Sequence, residues 1–145
     1  MSAWIPAHTV ANQSNNVATP TVLSDQDHRV TKVIAYVTSN LTRRVTLVEA
    51  ASVACLEPLY FSKRFRRVVG MTFVSWSTSI RVQSAKRLLE WPALSITAVA
   101  NAVGYRDLTT FERAFRKREA ICPREYRRLL ARCMAKEQET PKERR

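Results

Sequence analysis

The chain repeats itself once, and that repeat limits its fold more than any other feature. Leu47, Ala51, Cys55 and Leu56 correspond to Ile96, Ala100, Gly104 and Tyr105 at an offset of 49 residues. Phe61, Lys63, Phe65 and Arg66 correspond to Phe111, Arg113, Phe115 and Arg116 at an offset of 50, so the second turn is one residue longer. Each copy joins a short segment of helical periodicity to a second segment carrying an aromatic i, i+4 pair, across a tight turn. That is the pattern of a helix-turn-helix, in which one helix braces another. Two copies predict an all-α chain with two such units in tandem.

The remaining sequence supplies helices around the units. Val30, Val33, Ile34 and Val37 fall at i, i+3, i+4, i+7, which predicts a helix over 25–39 with Asp25 as its cap. Thr46 is a capping residue ahead of the first repeat, and Pro58 suits a first helical position because its missing N–H is not needed there. Gly70 ends that second segment. A long helix is expected over 72–91, with Phe73, Trp76, Ile80, Ala85, Leu88 and Leu89 inward and Pro92 as its stop. Ser95 and Asp107 cap the two helices of the second unit. Pro123 opens a last helix with Tyr126, Leu129 and Leu130 on one face. The organisation read from this pattern is a polar arm over 1–24, a domain over 25–135 and a charged tail over 136–145. Within the domain the first unit covers about 46–69 and the second about 95–118. With only two glycines in the chain, a sandwich or barrel with many tight turns is disfavoured.

Charge indicates the partner. No Lys or Arg precedes Arg29, so residues 29–145 carry all 24 basic groups against ten acids, a local net charge of +14. A compact positive domain attracts polyanions, because neutralised phosphates release condensed counterions. Between Glu57 and Glu90 there are seven basic residues and no acid. Opposite its Phe pair, the second helix of the first unit carries Ser62, Lys63, Arg66 and Arg67. The equivalent helix carries Thr109, Thr110, Glu112, Arg113, Arg116 and Lys117. Lys63 and Arg113 are suited to donate to guanine, and Glu112 to accept from cytosine. Arg66, Arg67, Arg116 and Lys117 are candidates for phosphates. The expected partner is double-stranded DNA.

Other chemistries find little support. Cys55, Cys122 and Cys133 have no metal-ligand spacing, so no metal or cofactor is expected. No nucleophile–base set, phosphate loop or paired carboxylates point to an enzyme. No 18-residue apolar run or signal peptide is visible, which predicts a protein retained in the cytoplasm.

The stretch SITAVANAVGYRDLTTFERAFRKREAICPREYRR resembles the DNA-binding domain of the AraC/XylS family of bacterial transcription regulators. Ile96, Ala100, Gly104, Tyr105, Phe111, Phe115, Arg116, Pro123, Tyr126 and Arg127 fill the family pattern, and Phe65, Gly70, Phe73, Trp76, Arg81, Ala85, Leu88 and Leu89 extend it into the first half. The resemblance covers about 27–131. It implies a seven-helix domain of two helix-turn-helix subdomains joined by a long linker helix, binding promoters, mostly activating, often by touching RNA polymerase. It places base reading at Leu59, Ser62 and Lys63 and at Thr109, Thr110, Glu112 and Arg113. The short N-terminal extension resembles stand-alone members that bind as monomers. Cys55 and Ala120 depart from the pattern by standing where the family has Gly, and Glu57-Pro58 stands where it has Ser. The expected function is a monomer seating two recognition helices in successive major grooves of an asymmetric site. The second reading is a protein-interaction module, such as an anti-activator of the same fold, with the Cys55 turn as its cause.

Overall fold

A computed structural model of the protein describes residues 27–138, which form seven helices. They are α1 (His28–Ser39), α2 (Leu47–Val53), α3 (Pro58–Val69), α4 (Phe73–Leu89), α5 (Ile96–Ala102), α6 (Leu108–Glu119) and α7 (Pro123–Gln138). Local chemistry explains most of the boundaries. The side chains of Thr46, Glu57, Thr72, Ser95 and Asp107 each accept a hydrogen bond from the backbone N–H three residues on. Those bonds satisfy donors that the first turn of a helix leaves open. At the other end, Gly70 and Ala120 adopt the left-handed conformation and return their N–H groups to Arg66 and Arg116, both at 2.9 Å.

Three boundaries differ from those the sequence suggests. Helix α1 begins at His28 beside Asp27, which makes no side-chain cap; Asp25 lies outside the described residues. Helix α4 ends at Leu89 instead of Trp91, because the chain tightens into three-residue turns: Glu90 N–H donates to Arg87 and Trp91 N–H to Leu88. Helix α7 runs on to Gln138, three residues into the stretch read as a charged tail. Also, Leu129 is 43% exposed instead of buried. At its start α7 buries Pro123 and packs Tyr126 against the second cluster.

Two apolar clusters form the interior, and α4 belongs to both. The first gathers Val30, Val33 and Val37 of α1, Ala50 and Ala51 of α2, Phe61 and Phe65 of α3, and Phe73 and Trp76 at the start of α4. The second gathers Val82, Ala85 and Leu89 at the end of α4, Val99 and Ala100 of α5, and Phe111 and Phe115 of α6, with Tyr126 of α7 against it. The inward residues of α1 and of the end of α4 share the same i, i+3, i+7 spacing. Phe65 meets Trp76 at 5.4 Å between ring centroids, and Phe115 meets Tyr126 at 5.5 Å in the same edge-on manner. The structural repeat is therefore larger than the repeated sequence. Each unit is a brace, a helix-turn-helix and a closing aromatic, and α4 closes the first while bracing the second. Full burial of a Phe contributes about 1.5–3 kcal/mol, so each aromatic pair is a main support of its unit.

A candidate nucleic-acid interface on α3 and α6

Helices α3 and α6 have twelve residues each and present equivalent faces. In α3, Phe61 and Phe65 are fully buried, so the residues about half a turn away must face outward. Leu59 is 63% exposed, Lys63, Arg66 and Arg67 are exposed, and Ser62 is half-buried. In α6, Phe111 and Phe115 point inward, leaving Thr109, Thr110, Arg113, Arg116 and Lys117 exposed and Glu112 half-buried. Leu59, Ser62, Lys63 and Arg66 fall within an arc of about 100° on an ideal helix, as do Thr109, Glu112, Arg113 and Arg116. Nine of the eleven residues proposed from the sequence are thus exposed, and Ser62 and Glu112 lie half-buried at the edge of the outward face.

The two faces differ in chemistry. The outward arc of α3 holds no acid, whereas Glu112 lies at the edge of the α6 arc. Leu59 offers only apolar contact where Thr109 offers a hydroxyl. Asp107 holds the start of α6 through its bond to the Thr110 N–H at 2.7 Å, and that bond keeps its carboxyl below the usual range. Within α3, Arg64 is drawn from the outward face: it donates to the Tyr60 hydroxyl at 3.3 Å and lies 3.7 Å from the Asp27 carboxylate.

The departures at Cys55 and Ala120 are visible in the backbone. Both residues have positive φ, 54° and 65°, a conformation that costs a non-glycine residue about 1–2 kcal/mol. Yet the turn at Cys55 closes like its counterpart. Cys55 N–H donates to Ser52 and Leu56 N–H to Ala51, at 3.0 and 2.9 Å; Gly104 donates to Asn101 and Tyr105 to Ala100, at 3.1 and 3.0 Å. Strain at Cys55 has not altered the turn that aims α3.

Sequence reasoning missed a polar seam between the two units. Arg81 is 5% exposed and donates to the backbone carbonyl of Arg43, at 3.2 Å. Its guanidinium lies 5.9 Å from the centroid of the Tyr105 ring. Burial pushes the Arg81 guanidinium down from its ordinary value and the Tyr105 phenol up. The Arg43 side chain is itself held, donating to both Glu49 carboxylate oxygens at 2.5 and 3.0 Å and to the Tyr36 hydroxyl at 2.7 Å. That pairing draws the Glu49 carboxyl down to about 2. Partners 38 residues apart leave no periodic trace, so only the buried placement of Arg81 in an apolar helix hinted at it.

Among the described residues no group of His, Cys, Asp or Glu is placed to hold a metal ion, and no helix is long and apolar enough to cross a membrane. The helix-turn-helix domain family matches residues 50–129. Regulatory protein PocR of Salmonella typhimurium is 30% identical over 122 residues, covering 84% of this chain and 39% of that protein. The arabinose operon regulatory protein of Escherichia coli is 31% identical over 102 residues, covering 70% of this chain and 35% of that protein. The chain spans about two-fifths of the length of such curated relatives. Among solved structures, the DNA-binding domain of AdpA in complex with a target DNA superposes with a TM-score of 0.69. It is 27% identical, covering 77% of this chain and 97% of that one.

Proposed function

We propose, from the premise that the chain belongs to the AraC/XylS family of helix-turn-helix transcription regulators, that one copy reads an asymmetric promoter site with α3 and α6 in successive major grooves. The observation that carries this reading is the equivalent placement of the two outward faces, each fixed by a Phe pair buried against its own end of α4. Helix α4 has 17 residues, about 25 Å of length at ~1.5 Å per residue. That length suits two units following one face of a duplex whose grooves recur every ~34 Å. Because one chain carries both recognition helices, a palindrome and a second copy are not required.

On this reading Lys63 and Arg113 donate to guanine edges, Glu112 accepts from cytosine, and Thr109 and Thr110 meet thymine methyls or phosphates. Ser62 and Leu59 complete the first reading face, Leu59 by apolar contact alone. Arg66, Arg67, Arg116 and Lys117 hold phosphates and set the register. An activating role through contact with RNA polymerase follows from the family resemblance. The protein-interaction alternative starts from a weak first turn at Cys55; the hydrogen bonds that close that turn, like those at Gly104, favour two reading units over it.

The test is selection of bound sequences from a random duplex pool at near-physiological salt. Two enriched blocks about one helical turn apart are expected. A single block would mean that only one unit reads. No enrichment, with binding that fades as salt rises, would overturn sequence-specific function. Arg113→Ala should then cost about 1–3 kcal/mol and relax one position; an equal loss on every sequence would make Arg113 a phosphate contact instead.

A further inference from the structure

We propose that Arg81, the backbone of Arg43 and Gly104 form a clasp that fixes the angle between the two units, and so sets the half-site spacing this chain accepts; the inference rests on the two-unit reading above. Three observations meet at this point. Arg81 sits mid-way along α4, between the residues that serve the first core and those that serve the second, and reaches back to the loop before α2. From the other side, Gly104 presses on the same loop: a Cβ added there would lie 2.8 Å from the Leu41 carbonyl oxygen and 3.0 Å from the Arg43 carbonyl carbon. The loop in turn is anchored to the first unit by the Arg43 side chain on Glu49 and Tyr36. One residue thus belongs to the first unit by its side chain and to the seam by its backbone.

The energetics favour a positioning role over a merely stabilising one. A buried cation is expensive unless fully hydrogen-bonded, and an apolar residue of similar volume often serves stability as well or better. Arg81 Nε is buried with no hydrogen-bond partner in the structure. What the guanidinium supplies, and Met or Leu does not, is a directional bond to one carbonyl of the opposite unit. A shared helix sets the distance between units, but long helices bend. The clasp adds a second, off-axis attachment and suppresses that freedom. Rigid linkage matters because the gain from engaging two sites at once is lost when the geometry does not match.

The test compares the wild type, Arg81→Met and Gly104→Ala on duplexes carrying both selected half-sites at shifted spacings. A shift of about 3 base pairs turns the second half-site by roughly 100° around the duplex. The wild type should prefer one spacing by about tenfold or more over the shifted ones. The variants should lose most of that preference while binding an isolated half-site unchanged. A sharp wild-type preference retained in both variants overturns the clasp and leaves the two-unit reading standing; a wild type indifferent to spacing sinks the two-unit reading itself. A second measurement does not depend on DNA or on the variants folding. Residual dipolar couplings of the wild type should fit a single alignment tensor for the residues of both units, whereas two distinct tensors would overturn the clasp.

Discussion

Gly70 and Gly104 offer a controlled comparison, because they share a backbone conformation and differ in what surrounds them. Their φ angles are 87° and 84°, so Ala at either site meets the same left-handed strain, about 1–2 kcal/mol. Ala also restricts the unfolded chain, which returns about 0.4–1 kcal/mol. At Gly70 the added Cβ meets nothing within 4 Å, so Gly70→Ala should cost about 1 kcal/mol or less. The native Ala120, the equivalent C-terminal cap at φ 65°, shows that the fold carries this kind of strain. At Gly104 the Cβ would lie 2.8 Å from one backbone oxygen and 3.0 Å from a backbone carbon, and neither atom can rotate away as a side chain would. Overpacking of that kind costs about 1–3 kcal/mol more. Gly104→Ala should therefore lose about 1–4 kcal/mol in all. Urea unfolding followed by far-ultraviolet circular dichroism separates the two: with a slope of about 1–3 kcal/mol/M, the Gly104→Ala midpoint should fall about 1 M below that of Gly70→Ala. Equal midpoints would show that the second turn does not touch the 41–43 loop in solution, and the clasp argument would fall with it.

Three further outcomes are expected. Phe115→Ala removes a side chain packed on Phe111 and Tyr126 and should cost about 3–5 kcal/mol; hydrogen exchange should lose protection in α5 and α6 before α2 and α3, and an unchanged melt would contradict the core assignment. Cys55→Gly relieves a positive φ at an exposed position and should raise stability by up to about 1 kcal/mol without changing the selected DNA site, read by thermal melting and repeat selection. Glu49, held near 2 by the Arg43 hydrogen bonds against about 4.5 when free, binds fewer protons folded than unfolded. Its stabilisation is complete above about pH 5 and declines as pH falls toward 2. Glu49→Gln should flatten that part of the acid limb, and an unaltered slope would mean the Arg43 pairing is not formed.

Much of the fold was legible because it is written locally. Thr46, Ser95 and Asp107 cap where their chemistry suggests, Pro58 and Pro123 open helices, and Gly70 closes one. Phe pairs four residues apart also identify which side of α3 and α6 is free, so most of the candidate reading face follows from periodicity, while Leu59 enters only through the family resemblance. Less legible were features set by what lies across the chain. Leu129 continues an apolar stripe along α7, yet it is 43% exposed while its neighbour Leu130 is half-buried. Arg81 carries a charge that suggests an acidic partner, and the partner is a carbonyl that every residue possesses. No sequence pattern singles out Arg43 as the residue that would supply it.

The contrast between Cys55 and Gly104 shows how the repeat and the seam fit together. The two positions are equivalent within their units, close the same hydrogen bonds and share a positive φ. A unit acting alone can bear a side chain there at a modest cost in strain, and Cys55, exposed to solvent, does so. Gly104 cannot, because the first unit occupies the space a side chain would take. The glycine at the second turn is thus a requirement of two units held together, while the glycine missing from the first is only a matter of local strain. If so, exchanging the residues should be asymmetric. Cys55→Gly should leave spacing preference intact, and Gly104→Cys should disturb it even if both units remain folded. A symmetric result, with spacing unchanged in both, would return the second glycine to a purely local role.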